Sequence, residues 1–296
     1  MTDDFLWVEK WRPPSISQCV LPQRLKTEFQ SFVDIGKVPN LLLTGGPGVG
    51  KTTVARALLK QLDLDYIIIN GSMKGNIDTL RNEIQQFAST MSFNGKRKYV
   101  ILDEADYLNP QSTQPALRNF MEEFSNNCGF ILTCNFKNRI IEPLHSRCSV
   151  VEFNIDKKEI QDLCAQFFRR VENILKINGV QYDKQVVSEL IMKHCPDWRR
   201  IINELQRYSA TGKIDVGILT AMSNESFTSL IDMISGQDFS GLRKWVVDNG
   251  DIDTSVLYRE LYNHASKKMK PASIAQMVLI LAKYQYQAAF VVDHEI

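Results

Sequence analysis

A short glycine-rich segment constrains the fold of this chain more than any other feature. Residues 45–52 read Gly-Gly-Pro-Gly-Val-Gly-Lys-Thr, which fits the phosphate-binding pattern Gly-x-x-x-x-Gly-Lys-Ser/Thr. The pattern directly follows the apolar run 41–43 and directly precedes an amphipathic stretch at 51–62. A loop between a buried strand and a helix N-terminus presents backbone N–H groups to phosphate oxygens. The sequence therefore predicts a P-loop nucleotide site within an α/β domain.

The side chains of this loop have distinct predicted roles. Lys51 is placed as a point charge for the β- and γ-phosphate oxygens, and the Thr52 hydroxyl is a candidate Mg²⁺ ligand. The glycines carry no Cβ, so the backbone can curl around the β-phosphate. We expect ATP and Mg²⁺ as cofactors, and the loop residues expected to bind the nucleotide are Gly48, Val49, Gly50, Lys51, Thr52 and Thr53.

An acidic motif lies about 50 residues downstream of the loop, where the apolar run 99–102 ends in Asp103 and Glu104. Asp103 is expected to hold magnesium through water, and Glu104 to polarise the attacking water. Residues 103–106 spell Asp-Glu-Ala-Asp, which are also the letters of a helicase motif. Such helicases need a second RecA-like domain, and the helical second half leaves no room for one.

The first half of the chain alternates apolar runs with helical patterns. The runs are short, rich in β-branched residues and typical of strands buried on both faces; they lie at 41–43, 66–69, 99–102, 130–133 and 150–153. Helical patterns between them lie at 51–62, 77–91 and 112–125. This alternation predicts an α/β fold with a five-stranded parallel sheet.

After about residue 154 the strand signal stops. Apolar residues recur at three-to-four spacing, which predicts helices at 157–177, 184–194 and 198–210. Polar residues around 221–225 indicate a break between two helical sets. We therefore expect three domains, an α/β domain at 1–154, a helical lid at 155–222 and a C-terminal helical domain at 226–296.

Composition matters mainly for what it excludes. The chain has 35 basic and 34 acidic residues, so any nucleic-acid binding must come from a local basic face. No apolar stretch approaches the roughly 18 residues of a membrane span, and the N-terminus lacks a secretory pattern, so we expect a cytoplasmic protein without membrane contact. The six cysteines form no Cys-x-x-Cys pair, which favours buried thiols over a zinc site.

The N-terminal residues resemble a known family. Residues 7–13, Trp-Val-Glu-Lys-Trp-Arg-Pro, resemble the Trp-x-Glu-Lys-Tyr-Arg-Pro box that opens replication factor C subunits and their archaeal and T4-like phage relatives. Trp11 departs from the family's tyrosine but keeps an aromatic ring. The resemblance implies that this segment wraps the adenine and ribose of ATP, through Val8, Glu9, Lys10, Trp11 and, further on, Val20.

Three more elements resemble this family in the same linear order. The strand ending before Asn135 resembles sensor 1, whose polar tip would contact the γ-phosphate or the attacking water. Arg147 lies in a Ser-Arg-Cys element and would reach the ATP of an adjacent subunit as a finger in trans, a task that suits a planar, always charged guanidinium. The helix after Pro196 resembles sensor 2 of the lid, with Arg199 facing the phosphates.

Residues 114–122 resemble the family's central helix, which links the DNA-facing interior to the ATP site. Pro115 departs from the family there, and proline is tolerated only in the first turn of a helix, so the start of this helix is open. Helix N-termini near this segment and near residue 77 could contact DNA phosphates, with Lys74, Arg81 and Arg118 as candidates. The basic run 96–98 is instead expected to be a solvated turn.

The resemblance covers residues 5–210 and looks nearest to the large subunits of T4-like phage clamp loaders. It implies an AAA+ ATPase with a helical lid and a C-terminal helical collar that joins subunits into a homo- and hetero-oligomer, in the family a pentamer. Such an assembly opens a ring-shaped sliding clamp and loads it onto primer–template DNA, with ATP hydrolysis stimulated by clamp and DNA. A phage-encoded protein of this kind would act in the host cytoplasm.

Two alternatives stay open. One is another AAA+ DNA motor, such as a branch-migration or helicase-loading ATPase, which the 7–13 box and the Ser-Arg-Cys element oppose. The other is a non-catalytic scaffold subunit of a clamp loader. Intact Lys51, Thr52, Asp103 and Glu104 oppose it, because a scaffold has no use for a magnesium-competent site.

Overall fold

A parallel sheet forms the centre of the first part of the chain. The computed structural model describes residues 5–72, 77–90, 92, 95–210, 212–214, 224–248 and 254–288. The strands of this sheet are β1 (Leu41–Thr44), β2 (Tyr66–Asn70), β3 (Lys98–Asp103), β4 (Cys128–Cys134) and β5 (Ser149–Glu152). All pairings are parallel, in the order β2-β3-β4-β1-β5. The predicted five-stranded parallel sheet is therefore confirmed.

Helices connect the strands and then continue without them. They are α1 (Trp7–Lys10), α2 (Gln23–Ile35), α3 (Lys51–Gln61), α4 (Ile77–Ser89), α5 (Thr113–Glu123), α6 (Glu142–His145), α7 (Lys157–Ile177), α8 (Lys184–His194) and α9 (Trp198–Ser209). Short 3-10 turns lie at Ile16–Gln18, Ala105–Tyr107 and Lys137–Arg139. Each helix predicted from the sequence is present, with its ends within two residues of the predicted ones.

Successive residues of the buried strands point to opposite faces of the sheet. Leu41 and Leu43 pack into one apolar cluster with residues of α2 and α3. Leu42 and Leu102 pack into a second cluster, with residues of α4 and α5. All four leucines are fully buried, so the sheet lies between two helical layers and only its edges reach the surface. This burial on both faces explains why the strands read as continuous apolar runs rather than alternating ones.

The start of α5 is fixed by a buried amide. The helix begins at Thr113, so Pro115 lies in its first turn, where its missing N–H breaks no helical hydrogen bond. The neighbouring Gln114 is fully buried. Its Nε2 donates to Leu108 O at 3.0 Å and to Arg139 O at 2.9 Å, and its Oε1 accepts from the Ile141 N–H at 2.9 Å. These bonds join the helix to the loops that follow β3 and β4.

The expectation of a solvated turn at 96–98 is wrong for Lys98. Lys98 begins β3 and is 6% exposed. Its Nζ donates to Phe87 O at 3.2 Å and to Thr90 Oγ1 at 2.6 Å, and lies 4.8 Å from the centroid of the Phe87 ring. A cation is favourable at this point because the carbonyl end of α4 carries partial negative charge. The basic run itself contains no sequence signal that the end of a helix will pack against Lys98.

After β5 the chain is mainly helical, as predicted, with one difference. Gln181–Tyr182 (β6) and Lys213–Ile214 (β7) pair in parallel and form a small separate sheet. Two-residue strands are too short to show a period in the sequence, so this pairing was missed.

The chain forms two compact units, Met1–Asp215 and Val216–Ile296. The second unit contains α10 (Asn224–Ser235), α11 (Phe239–Asp248), α12 (Thr254–Lys268) and α13 (Pro271–Ala288). Within it the Phe227 ring contacts Trp245 and His264, with centroids 5.6 Å and 5.9 Å away. The three-domain division stays a prediction, and residues 215–223, with part of the predicted break, lie outside the described residues. Among the helices described here, none has the length and apolarity to span a membrane.

We expect Tyr99→Phe to destabilise the first unit. The Tyr99 side chain is 2% exposed, and its hydroxyl donates to Val38 O at 2.7 Å. Phenylalanine would leave that carbonyl without its donor, which should lower the free energy of unfolding by about 1–3 kcal/mol. Tyr182→Phe is the matched control, because the Tyr182 hydroxyl bonds Glu172 Oε1 at a partly exposed position. Equal urea midpoints for Tyr99→Phe and the unsubstituted protein would contradict this expectation.

Candidate functional site

The glycine-rich loop leaves β1 and ends in the first turn of α3. Gly48 and Gly50 have φ angles of +73° and +99°, a left-handed backbone that favours glycine. Gly50 is the N-cap of α3 and supplies no side-chain cap. The first-turn N–H groups of this helix are therefore available to an anion, and the helix dipole adds to the attraction.

Lys51 lies at the centre of the loop with its charge held by three oxygens. Its Nζ donates to Gly45 O and Gly46 O at 2.7 Å each, and to Asn135 Oδ1 at 2.8 Å. Burial lowers the pKa of Lys51, and the nearby carboxylates of Asp103 and Asp106 oppose that shift in part. Because phosphate oxygens are stronger acceptors than these neutral groups, the arrangement suits a bound phosphate chain.

Asp103 joins residues from three neighbouring strands. Its Oδ1 accepts from Thr52 Oγ1 at 2.6 Å and from Thr133 Oγ1 at 2.6 Å. Asp103 ends β3, Thr133 lies near the end of β4, and Thr52 follows the loop after β1. No role was predicted for Thr133 from the sequence. Its position near the end of β4, two residues before Asn135, is the sequence feature from which a role could have been predicted.

The residues that follow β3 and β4 are held to each other. Glu104 has φ +56°, a left-handed conformation uncommon outside glycine, and its N–H donates to Thr133 Oγ1 at 3.1 Å. Asp106 is buried, and its Oδ2 accepts from the N–H groups of Asn135 and Phe136, both at 3.2 Å. These bonds fix where Glu104 and Asn135 lie relative to each other.

A cavity of about 190 Å³ brings together most of the predicted nucleotide residues. The predicted residues on its wall are Val8, Trp11, Val20, Gly48, Val49, Gly50, Lys51, Thr52, Thr53, Asp103, Glu104, Asn135 and Arg199. Other wall residues had no predicted role, among them Trp7, Arg12, Leu21, Thr133, Phe167, Arg170, Trp198 and Ile202. Several of these lie on α7 and α9, where an apolar stripe at helical spacing reads as ordinary core in a sequence.

Glu9 and Lys10 do not line this cavity, although the sequence placed them with the nucleotide. Glu9 Oε2 accepts from Arg12 Nε at 3.2 Å and from Arg56 Nη1 at 3.4 Å. Burial raises the pKa of Glu9, but the hydrogen bond and charge of Arg12, with the charge of Arg56, outweigh it and hold that pKa below its ordinary value. Lys10 Nζ lies 5.6 Å from the Trp11 ring centroid. Both residues therefore contact side chains that line the cavity, Arg12 and Trp11, without lining it themselves.

Two indole groups on the wall fit a ligand that carries hydrogen-bond acceptors. Trp11 Nε1 and Trp198 Nε1 are buried and have no hydrogen-bond partner within the described part of the chain. Such donors normally find an acceptor when they are buried. The Trp198 ring also lies 4.5 Å from the Phe167 ring, so part of the cavity wall is aromatic. An aromatic wall beside a glycine-rich loop suits a nucleotide, which carries both a base and phosphates.

The protein side chains of this site supply few ligands for a metal ion. Thr52 and Asp103 supply a hydroxyl and a carboxylate side by side. Across the described residues, no group of three or more His, Cys, Asp or Glu side chains could hold a metal ion. A hard cation such as Mg²⁺ suits this donor set, because it commonly takes one or two protein oxygens and completes its shell with substrate phosphates and water.

Arg147 lies away from the cavity of its own chain. Its Nε donates to Glu122 Oε1 at 3.0 Å, and its Nη1 donates to Pro143 O at 3.0 Å. Among the candidates for DNA contact, Arg118 lies on α5 with its Nε 3.8 Å from the same Glu122 oxygen. Arg81 is exposed on α4. Lys74 lies outside the described residues.

Two protein families match successive parts of this chain. Residues 41–155 match the ATPase family associated with various cellular activities (AAA). Residues 159–220 match the AAA+ ATPase lid domain of the sliding-clamp-loader large subunit. The two matches follow each other along the chain in the order of the sheet and the helices after it.

Curated relatives extend the similarity over most of the chain. The sliding-clamp-loader large subunit of Enterobacteria phage T4 is 36% identical over 281 residues, which cover 93% of this chain and 87% of the relative. The same subunit of Escherichia phage RB69 is 39% identical over 240 residues, or 79% and 75% of the two chains. The replication factor C small subunit of Methanocella arvoryzae is 36% identical over 219 residues, or 72% and 66%.

Solved structures show the same fold in a more distant protein. RuvB of Thermotoga maritima, a Holliday junction branch migration motor, matches with a TM-score of 0.56 and 16% identity over 96% of this chain and 94% of that chain. A point mutant of the same RuvB matches with a TM-score of 0.57 and 16% identity, covering 90% and 88%. At this level of identity the likeness shows the fold alone.

We expect intrinsic fluorescence to report nucleotide binding, because Trp7, Trp11 and Trp198, three of the four tryptophans, line the cavity. A titration with ATP should change the emission and saturate. Trp245→Phe should keep this change, since Trp245 belongs to the second compact unit. Trp11→Ala should weaken ATP binding by about 2- to 12-fold, because an aromatic stacking contact contributes roughly 0.5–1.5 kcal/mol. A signal that disappears in Trp245→Phe but survives in Trp11→Ala would contradict the placement.

Proposed function

This chain belongs to the family of sliding-clamp-loader large subunits and is an AAA+ ATPase, and we propose that it uses ATP to open a ring-shaped clamp and load it onto primer–template DNA. Clamp loading is supported by the similarity to sliding-clamp-loader large subunits. Hydrolysis is supported most by the arrangement of Lys51, Asp103 and Asn135, in which Lys51 bonds Asn135 and the adjacent Thr52 bonds Asp103. A subunit that only served as a scaffold would have no use for this arrangement. The non-catalytic alternative is therefore disfavoured.

Hydrolysis would proceed by in-line attack of water on the γ-phosphate. Lys51 would exchange its bonds to the loop carbonyls for bonds to phosphate oxygens, which hold more negative charge. Glu104 would orient the water and take its proton, and Asn135 would hold the water or the γ-phosphate. The bonds through Thr133 and Asp106 support this assignment, because they hold the two loops in one relative position.

We assign Thr52 and Asp103 as the residues that would hold Mg²⁺, Asp103 through water. Their oxygens lie 2.6 Å apart and present one hydroxyl and one carboxylate to the phosphate end of the cavity. When bound, the ion would draw negative charge from the β- and γ-phosphate oxygens. Both residues keep an oxygen lone pair for this purpose, since the Thr52 hydroxyl only donates in its bond to Asp103.

The base and ribose would lie against the N-terminal segment. Val8, Trp11 and Val20 form the cavity wall there, together with Trp198, Arg199 and Ile202 of α9. The same placement leaves the glycine-rich loop for the phosphates, with Arg199 near them as the charge supplied by the lid. Arg12 secures the wall to α3, since its Nη1 donates to Thr53 Oγ1 at 3.0 Å.

Arg147 would act on the ATP of a neighbouring subunit. Its place outside its own cavity supports this, and so do Glu122 and Pro143 O, which hold the guanidinium on the surface. An arginine supplied from outside makes each site depend on assembly, in the pentameric hetero-oligomer that we propose. Exposed apolar residues on α13, among them Leu279 and Ile280, are candidates for the collar that joins subunits.

DNA contact is proposed for Lys74, Arg81 and Arg118. The two arginines are exposed on α4 and α5, so their guanidinium groups could reach phosphates of a duplex. Such contacts bind without reading base sequence, as an enzyme that loads clamps at any primer end requires.

The ATPase rate of the loader assembled with its partner subunits tests the proposed function. We expect strong stimulation when the sliding clamp and primer–template DNA are added together, and a loss of more than about 100-fold in Glu104→Gln, because the general base contributes about 10²–10⁴-fold. Glu123→Gln, an exposed glutamate at the end of α5, is the matched control. Stimulation by four-way DNA junctions with indifference to any clamp would instead assign the chain to the branch-migration class.

A mixing experiment tests whether Arg147 acts in trans. Assemblies made only of Arg147→Ala subunits, or only of Glu104→Gln subunits, should both be inactive. Mixed assemblies should recover part of the activity, because a Glu104→Gln subunit can lend its intact Arg147 to a neighbour whose Glu104 is intact. Arg24→Ala is the matched arginine control, since Arg24 also bonds backbone carbonyls on the surface. Mixed assemblies as inactive as the pure ones would show that Arg147 serves its own site.

A further inference from the structure

One side-chain amide joins α9 to the N-terminal segment, 199 residues away in the chain, and both of these elements contribute residues to the cavity wall. Gln206, on α9, donates from Nε2 to Phe5 O at 2.8 Å. Its Oε1 accepts from the Trp7 N–H at 2.8 Å. An amide that both donates to and accepts from one backbone segment fixes the position and the orientation of that segment. We call residues 5–21 the N-terminal arm.

The helix that carries Gln206 also carries Arg199, seven residues earlier. Seven residues are close to two helical turns, so the two side chains leave the same face of α9 about 10 Å apart. At its N-terminus the helix contacts the glycine-rich loop, where the Trp198 N–H donates to Gly48 O at 3.2 Å. A Cβ at Gly48 would overlap the Asp197 carboxylate, so the approach is close. The helix thus contacts the phosphate loop at one end and the arm two turns later.

The arm is tied at other points to both sides of the cavity. Arg170 of α7 donates from Nη1 to Gln18 O at 3.1 Å and from Nη2 to Trp11 O. On the opposite side, Arg12 donates to Thr53 Oγ1 of α3 at 3.0 Å. The arm therefore cannot shift without moving its partners on α3, α7 and α9.

We propose that Gln206 is a positioning residue that links the fit of the base to the placement of Arg199 at the phosphates. This rests on the proposed function, in which the base lies against the arm and Arg199 lies near the phosphates. When the base fits, the arm stays in the position in which it bonds Gln206. In that position α9 places Arg199 at the phosphates. A base that fits poorly displaces the arm, and α9 moves with it. Adenine is thereby selected in turnover as well as in binding.

The test compares ATP with inosine triphosphate, which differs from ATP at position 6 of the base. In the assembled loader with clamp and primer–template DNA, Gln206→Ala should lower kcat for ATP by about tenfold, because both hydrogen bonds between α9 and the arm are lost. The kcat for inosine triphosphate should change less than about twofold, because a poorly fitting base does not use the link. The ratio of the two kcat values is the quantity to measure.

Two further variants sharpen the comparison. Gln206→Glu keeps an acceptor for the Trp7 N–H but loses the donor to Phe5 O, so its ratio should fall between those of Gln206→Ala and the unsubstituted protein. Gln185→Ala is the matched control, since Gln185 is an exposed glutamine on α8 that bonds Glu189 Oε1 at 3.2 Å. Its ratio should be unchanged.

Three outcomes would overturn the proposal. If Gln206→Ala lowers kcat equally for both nucleotides, or lowers the unfolding midpoint with the ratio unchanged, the role of Gln206 is structural. If Arg199→Ala lowers turnover of both nucleotides while Gln206→Ala leaves the ratio unchanged, this inference fails and the proposed site stands. If Arg199→Ala turns over ATP at the unsubstituted rate, the assignment of Arg199 to the phosphates fails, and this inference with it.

Discussion

The two hydroxyl groups that donate to one oxygen of Asp103 hold the chemistry of this protein together. Thr52 and Thr133 each donate to that oxygen at 2.6 Å, so the start of α3, the end of β3 and the end of β4 meet at a single atom. The strand order makes this possible, because β4 lies between β3 and β1 in the sheet. Thr133 Oγ1 also accepts a hydrogen bond from the Glu104 N–H, so the same hydroxyl fixes the backbone of the next acidic residue. The helical layers on both faces serve to keep these strand ends in place.

The sheet, and the meeting of polar side chains beside the glycine-rich loop, could be predicted from the sequence because their signals are local. One apolar run is followed by Gly-x-x-x-x-Gly-Lys-Thr, and another is followed by Asp-Glu. In each case about ten consecutive residues are enough to predict a strand and the polar loop after it. The parallel order of the strands then brings the polar ends to one edge. The resemblance to clamp-loader subunits rests on other residues, chiefly the 7–13 box and the Ser-Arg-Cys element in their linear order, and the comparisons with known proteins confirm that family.

The rest of the site could not be predicted, because it depends on contacts between distant segments. Trp198 and Phe167 read as ordinary core residues, and only the fold shows that they face the cavity. Glu9 and Lys10 stand in the box that resembles the family motif, yet α1 turns both away from the cavity wall. The sequence predicts a solvated Lys98, but in the fold the end of α4 lies against it. In each case the environment of the residue depends on a segment elsewhere in the chain, and no sequence motif indicates that the two will be in contact.

The distance along the chain between the arm and Gln206 also sets an order of events during synthesis. A ribosome adds about 5–20 residues per second, so the 199 residues between Trp7 and Gln206 separate the two by roughly 10–40 s. Within that time the glycine-rich loop, its strand and Asp103 are all synthesised. The cavity lacks the wall residues Trp198, Arg199 and Ile202 until α9 leaves the ribosome. The loop side of the cavity is therefore made well before the side that α9 supplies.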